Sequence, residues 1–352
     1  MLAELGEAVW YGTGAGAVAA RAALLPISTL YGTAMRARRV MYDRGMLASH
    51  ALPAPSVSVG NLSVGGTGKT PIAAWLAAEL ARRGANPGIV LRGYGGDETL
   101  VHQRLNPGFP VVADPDRVEG ARHACDLGAN VLVLDDAFQH LRARRSRDVV
   151  LVSADRWTPD ARVLPAGPYR EFPGALAAAS LLIITRKAAD DGRVAAAARW
   201  LGQVAPRVAG ATVALRPDRL IGVADAESRP MSYVAGQRVL LISAIGDARA
   251  FRAQFEQAGA VVTAASYADH HAFTIGEANA LARRAAVLDL AVCTLKDAVK
   301  LGPHWPRAAS ALWYVSQAVA VESGGDAIAH SLDLLLAELD SHPVDPARGR
   351  RR

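Results

Sequence analysis

Ser63-Val-Gly-Gly-Thr-Gly-Lys-Thr70 stands between a strand-like run, Ser56 to Val59, and a helix-like run, Pro71 to Arg83. A loop in that setting suits phosphate binding, because the first N–H groups of a helix have no partners of their own and point at an anion. Small residues at Gly65, Gly66 and Gly68, with Thr67 between them, let consecutive N–H groups turn inward and cradle it. Lys69 then reaches the β- and γ-phosphates of a nucleotide, and Thr70 holds Mg2+. The pattern G-x-x-x-x-G-K-[ST] is met except at its first position, where Ser63 stands and asks for a slightly different turn.

A phosphate loop needs a second, acidic strand end to manage the metal. Val131-Leu-Val-Leu-Asp135-Asp136 supplies one: an apolar run of a buried parallel strand whose tip carries carboxylates, with Asp136 as the expected metal ligand. Three residues of the segment that follows, Phe138-Gln139-His140, bring a histidine to the same place.

Asp97-Glu98 comes directly after Arg92-Gly-Tyr-Gly-Gly96, which itself follows a strand. One carboxylate of such a pair can take the proton of an attacking hydroxyl while the other holds the metal; the same two residues also suit a plain helix cap. Leu164-Pro-Ala-Gly-Pro-Tyr-Arg-Glu171 is a rigid loop that offers a guanidinium and a carboxylate, or else a surface ion pair. In the second half, Asp269-His270-His271 is either a surface loop or the source of a histidine that closes onto Asp97 across a cleft between domains. Thr294-Leu-Lys-Asp-Ala-Val-Lys300 gives one further polar strand end, with Lys296 and Asp297.

Strand and helix patterns alternate from Ser56 to Thr185: Gly88 to Arg92, Pro110 to Val112, a helix to Leu127, Val131 to Leu134, Val149 to Val152 and Leu181 to Thr185. Alternation of this kind implies an α/β fold, a mostly parallel P-loop-type sheet with ligands outside the carboxyl ends of its strands. Between Thr212 and Met231 the pattern is irregular, with Pro217 and Pro230, and reads as a hinge or ribbon. A second alternation starts at Arg238 to Ser243, continues through a helix to Ala258, and resumes at Val261 and at Leu290 to Thr294. The expected division is an N-terminal segment over 1–45, a P-loop kinase-like domain over 46–212, a hinge over 213–232, a smaller α/β domain over 233–338 and a disordered basic tail over 339–352.

A chain of 352 residues buries a large core, and 51% hydrophobic against 20% charged residues excludes disorder. The net charge of +6 points to an anionic partner, although Arg348, Arg350, Arg351 and Arg352 in the tail carry most of it. Cys125 and Cys293 lack metal or disulfide spacing, which fits a reducing cytosol. Near the N-terminus, Ala8 to Ala20 and Ala22 to Met35 are apolar, yet neither reaches the roughly 18 residues of a spanning helix. From Pro26, the residues Ile27, Leu30, Tyr31, Ala34 and Met35 recur at helical spacing, followed by Arg36, Arg38, Arg39 and Arg44. Such a helix either lies in the headgroup layer of an anionic leaflet or packs on the protein's own core with its basic end in water. Arg38 interrupts the apolar stripe.

Taken in order, these motifs resemble the tetraacyldisaccharide 4'-kinase family, the lipid A 4'-kinases of Gram-negative bacteria. The likeness runs through Leu25-Pro-Ile-Ser, Leu30-Tyr-Gly, Val59 to Pro71, Arg92-Gly-Tyr-Gly, Gly96-Asp-Glu98, Asp135-Asp136 with Phe138-Gln-His140, Leu164 to Pro168 with Arg170-Glu171, Asp269 to His271, and Lys296 to Lys300. The resemblance implies transfer of the γ-phosphate of ATP to the 4'-hydroxyl of a tetraacylated disaccharide 1-phosphate at the cytoplasmic face of the inner membrane. It implies Asp97 as catalytic base with His270 as its partner, and Lys69, Thr70, Glu98 and Asp136 around Mg·ATP. Asn61, Arg92, Tyr94, His140, Arg170 and Glu171 are then expected around the substrate, and the chain as a peripheral monomer on an anionic membrane surface, with no nucleic-acid partner. Gly95 and Gly96 are shared between two motifs that the family usually separates, Ala137 replaces a usual glycine, and Leu295 a common glutamate. The rival class, a P-loop GTPase or metallochaperone ATPase, needs an Asn/Thr-Lys-x-Asp motif that Thr185-Arg-Lys-Ala does not supply.

Overall fold

The computed structural model describes residues 2–93, 96–160 and 162–341. Two helices open the chain, α1 (Leu2–Tyr11) and α2 (Ala15–Asp43). There follow β1 (His50–Ala51), β2 (Ser56–Asn61), α3 (Lys69–Arg82), β3 (Pro87–Leu91), α4 (Asp97–Leu105), β4 (Val111–Ala113), α5 (Arg117–Asp126), β5 (Val131–Asp135), β6 (Ala143–Arg144), β7 (Arg147–Ser153), β8 (Leu181–Arg186) and α6 (Asp191–Val204). The second half holds β9 (Gly210–Gly222), β10 (Ser228–Pro230), β11 (Arg238–Ser243), α7 (Ala248–Gln257), β12 (Val261–Ser266), α8 (Ile275–Ala285), β13 (Leu290–Thr294), α9 (Leu295–Leu301), β14 (Leu312–Ser323) and α10 (Gly325–Ser341).

Every residue of β2, β3 and β5 is buried, the signature of strands covered on both faces. With β4, β7 and β8 they form a parallel sheet in the order β8-β7-β2-β5-β3-β4. Ile72, Leu76 and Leu80 of α3 fill one face of it against Val57, Val59, Ile89 and Leu91. Parallel strands with helical crossovers leave their carboxyl ends open at one edge, and β2 and β5 deliver the phosphate loop and the aspartate pair there.

The segment read as an irregular hinge or ribbon contains most of the longest strand among the described residues. β9 runs parallel to β8 and antiparallel to β14, which in turn pairs with β13, so the sheet continues unbroken through β11 to β12. Pro217 and the polar residues Arg216, Asp218 and Arg219 disguise the strand. The proline is tolerated because the ladder shifts register beside it, between Val315 and Gln317. The two halves are therefore joined by a two-stranded ribbon.

The boundary at 338 also differs from the expectation. Ile328, Leu332 and Leu335 of α10 lie in the core with α3, not with the second half, and Arg83 and Arg147 pair with Asp333 and Glu338. β14 leads the chain back toward the first sheet, and an amphipathic pattern does not say which core it faces. The second half keeps its own core, with Phe251 and Phe255 below the sheet and Leu281, Leu301 and Tyr314 above it.

α2 has two faces. Ser28 and Gly32 are buried, whereas Ile27 is 58% and Leu30 73% exposed. Ala23, Ile27, Leu30 and Ala34, all exposed, form an outward apolar stripe at helical spacing. Arg38 does not interrupt that stripe, because its guanidinium turns the other way and donates to the Gln139 carbonyl. No helix among the described residues is long and apolar enough to cross a membrane.

Candidate active site

The phosphate loop is braced from below by Asn61, the last residue of β2. Its Nδ2 donates to the Ser63 carbonyl at 2.7 Å and to Thr67 Oγ1 at 2.9 Å, and its Oδ1 accepts from Lys69 Nζ at 3.3 Å. Asn61 is fully buried, and its amide is engaged by the loop. The carbonyl of Thr67 accepts from Thr185 Oγ1, which ties the loop to β8. Left-handed backbone falls on Gly65 (φ 111°) and Gly68 (φ 86°) and not on Ser63. Ser63 instead pairs with Tyr169 in an extended bridge, which any residue can make. Its departure from the usual glycine is thereby accounted for.

Gly68 caps α3, and a Cβ there would lie 2.3 Å from Leu215 Cδ1 in the core. Gly68→Ala is expected to cost about 2 kcal/mol of stability, from the strained φ and the clash together. Urea unfolding measures it.

The acid corner is built around β5 and α4. Asp136 adopts φ 50° immediately after β5, which turns its carboxylate toward Lys69 Nζ, 3.8 Å away, and Arg170 Nη1, 3.1 Å away. Burial alone would raise its carboxyl, but Lys69 and Arg170 hold it below the ordinary value. The left-handed residue is Asp136 and not Ala137, so alanine at 137 is unstrained. Asp135 is buried, with Oδ2 3.0 Å from Nε2 of the fully buried His102 on α4. Its Oδ1 has no hydrogen-bond partner among the described residues. Glu98 stands nearby, its carboxyl raised by burial and by the negative charge of Asp135. An unpartnered carboxylate oxygen beside a second carboxylate that resists ionising is an arrangement a hard dication relieves. Arg117, 2% exposed at the start of α5, faces the same corner; burial lowers its pKa against the pull of Asp136 and Asp135.

Asp97 begins α4 and is 3% exposed. The second half of the chain meets it there. His270 Nδ1 is 3.4 Å and Lys300 Nζ 3.8 Å from Asp97 Oδ2. Burial works to raise the Asp97 carboxyl, yet His270 and the charges of Lys296 and Lys300 bring it below its usual value. His270 is raised above 6.5, chiefly by Asp97, and its backbone sits at φ 62°. Lys296 Nζ contacts His270 Nε2 and Asp269 Oδ1, each at 3.0 Å. The adjacent His271 faces away, 2.9 Å from Glu277. Asp297, fully buried, accepts from the Ala244 N–H and from Thr294, which fixes the start of α9 under the two lysines.

The residues expected around the substrate do not form one group. Arg92 is exposed at the end of β3, and Tyr94 lies outside the described residues. His140 is half-buried, and burial with Arg117 and Arg145 depresses its pKa to about 4. Arg170 is held on Asp136. Glu171 is 6% exposed and engaged by Arg39 through both oxygens.

Sequence reading missed His102, Arg117 and Lys187. The first two are polar residues on otherwise buried helix faces, which is the one signal that could have found them. Lys187, in the stretch searched for a guanine-reading motif, donates to the Gly66 carbonyl at 2.9 Å and pairs with Asp247 at 3.1 Å. It locks the loop to the second half of the chain.

Strand, phosphate loop, helix and an acidic second strand end define a P-loop nucleotide-binding protein, and the Asp97–His270 pair beside them gives it the layout of a phosphotransferase. Residues 20–336 match the family described as tetraacyldisaccharide-1-P 4'-kinase. A tetraacyldisaccharide 4'-kinase of Anaeromyxobacter dehalogenans strain 2CP-C is 37% identical over 331 residues, 86% of this chain and 88% of that one. Another, of Alkalilimnicola ehrlichii, is 36% identical over 297 residues, 79% and 83% of the two chains. The crystal structure of LpxK from Aquifex aeolicus in complex with ATP aligns with a TM-score of 0.68 at 27% identity, over 91% of this chain and 99% of that one. The chain belongs to the tetraacyldisaccharide 4'-kinase family.

Proposed function

We propose that this chain transfers the γ-phosphate of ATP to the 4'-hydroxyl of a tetraacyldisaccharide 1-phosphate, with Asp97 as the base. The observation that carries the assignment is the buried Asp97 carboxylate, kept ionised by a histidine and two lysines from the other half of the chain. A base that is ionised and shielded from water can take the 4'-hydroxyl proton as its oxygen attacks the γ-phosphorus and the bond to ADP breaks. His270, 3.4 Å away through Nδ1, orients the carboxylate.

Lys69 and the N–H groups of Gly65 to Thr70 hold the phosphates. We assign Mg2+ to Thr70, Glu98 and Asp136, near the unpartnered oxygen of Asp135, where it would neutralise charge on the transferred phosphate. Of the residues expected around the substrate, Arg92 stands exposed at the end of β3, where it is left to meet an anionic disaccharide. Phosphoryl transfer asks for position and charge neutralisation more than for covalent chemistry, which is what these residues supply.

The outward stripe of α2, with Arg36 and Arg44 exposed beside it, supports a peripheral seat on an anionic leaflet, which we place at the cytoplasmic face of the inner membrane of a Gram-negative cell. We take the working unit to be a monomer. Replacing both Ile27 and Leu30 by glutamate is expected to weaken binding to vesicles containing anionic lipid by about tenfold, measured by co-sedimentation. Unchanged binding would place the membrane contact elsewhere.

The reaction is tested with two acceptors, one with a free 4'-hydroxyl and one already phosphorylated there. Consumption of ATP with the first alone supports the assignment, and equal consumption with both refutes it.

A further inference from the structure

The last turns of α2 reach into the site. Arg39 presents Nε and Nη2 to the two oxygens of Glu171 at 2.8 and 3.0 Å, and its guanidinium lies 4.8 Å from the centre of the Phe138 ring. The two side chains are only 13% and 8% exposed. A forked guanidinium–carboxylate pair removed from solvent fixes orientation as well as distance. Glu171 directly follows Arg170, whose Nη1 lies 3.1 and 3.3 Å from the oxygens of Asp136.

Arg38 grips the other side of the same contact. It donates to the Gln139 carbonyl at 3.1 Å, and Gln139 in turn donates to the Asn61 carbonyl at 2.9 Å and offers its Oε1 to Arg170 at 3.5 Å. One turn of helix thus holds both segments that meet where Arg170 touches Asp136. Two to three turns earlier, Ser28 donates to the Val163 carbonyl, and Gly32 lets the Phe172 ring lie where a Cβ would stand 2.5 Å from it. Those contacts already anchor the helix. Anchoring alone would not require a buried fork on the residue next to Arg170, since apolar contacts serve it as well.

We propose that Arg39 is a positioning residue: through its fork on Glu171 it sets Arg170 against Asp136, so that the seating of α2 governs the geometry of the phosphate site. The inference rests on the kinase reading above. The helix that turns Ile27 and Leu30 outward is also the one that holds Arg170, so seating on a lipid surface and alignment of the site are mechanically one event.

The test is a double-mutant cycle on phosphate transfer to tetraacyldisaccharide 1-phosphate in mixed micelles, with the intact chain, Arg39→Ala, Arg170→Ala and the double variant. Arg39→Ala is expected to lower kcat about tenfold while KM for ATP changes less than about twofold. The double variant is expected to be no slower than Arg170→Ala alone, because both changes act through one contact. Losses that multiply in the double variant, or an Arg39→Ala variant as fast as the intact chain, overturn the proposal. Should Arg39→Ala fail to fold by its urea midpoint, Arg39→Lys keeps the charge without the fork and takes its place in the cycle, where the same results support or overturn the proposal. An intact, folded chain that transfers no phosphate overturns the kinase reading and this inference with it; multiplying losses in an active chain overturn the positioning role alone.

Discussion

Asp97→Ala is expected to lower phosphate transfer by about 10³-fold while leaving ATP binding within about twofold, since general-base catalysis contributes on the order of 10² to 10⁴. The carboxylate sits at the helix start, 3% exposed, and the loop that holds ATP is built from other residues, so the loss falls on kcat. Transfer rate and calorimetric ATP titration on the same preparation check it. Rate retained within tenfold would move the base to another group, Glu98 being the adjacent candidate.

The pairing of Asp97 with His270 also sets a pH window. Asp97 is lowered when folded, so its contribution is present above the unfolded carboxylate value of 3.8 and is lost as pH falls through its lower folded value. His270 is raised, so its contribution is fully present below 6.5 and fades as pH rises through its higher folded value. The difference in urea midpoint between the intact chain and His270→Ala is therefore expected to hold up to about pH 6.5 and to shrink above it. A difference that grows with pH would contradict the pairing.

Lys69→Ala should reduce transfer by about 10² to 10³-fold, the scale for loss of one preorganised charge at a transition state. Its ammonium lies between Asn61 Oδ1 and Asp136, aimed over the loop by the first turn of α3. Without it, Asp136 loses the strongest of the charges that keep it ionised, so affinity for Mg·ATP is expected to fall as well. Isothermal titration against Mg·ATP and against ATP with chelator separates the two effects. Retention of full transfer would show that the loop does not hold the reacting phosphates.

The phosphate loop was legible because its chemistry is local: glycines, a lysine and a threonine within eight positions, set between a strand and a helix. Asp135-Asp136, closing a run of strand residues, and Asp97-Glu98, opening a helix after a glycine-rich loop, were legible for the same reason. What escaped joins residues far apart in the chain. His102 meets Asp135 across 33 positions and Arg39 meets Glu171 across 132, and neither pair leaves a periodic trace. The ribbon was one of two readings of Thr212 to Met231, but the regular strand β9 was not read, because Pro217 argues locally against a strand; an extra residue on β9 between Pro217 and Leu220 makes room for it. The partners of Asn61 and Glu171 within the protein, the phosphate loop and Arg39, also left no local signal. The resemblance to a family placed His270 at Asp97, and the contact at 3.4 Å is where the fold puts it.

In the proposed reaction the γ-phosphate of ATP ends on a lipid and not in water. ATP labelled at that position, incubated with the intact chain and tetraacyldisaccharide 1-phosphate in mixed micelles, is extracted into organic and aqueous phases. Label in the lipid, dependent on the acceptor, is the expected result; label released only as inorganic phosphate, at the same rate with and without the acceptor, would contradict it.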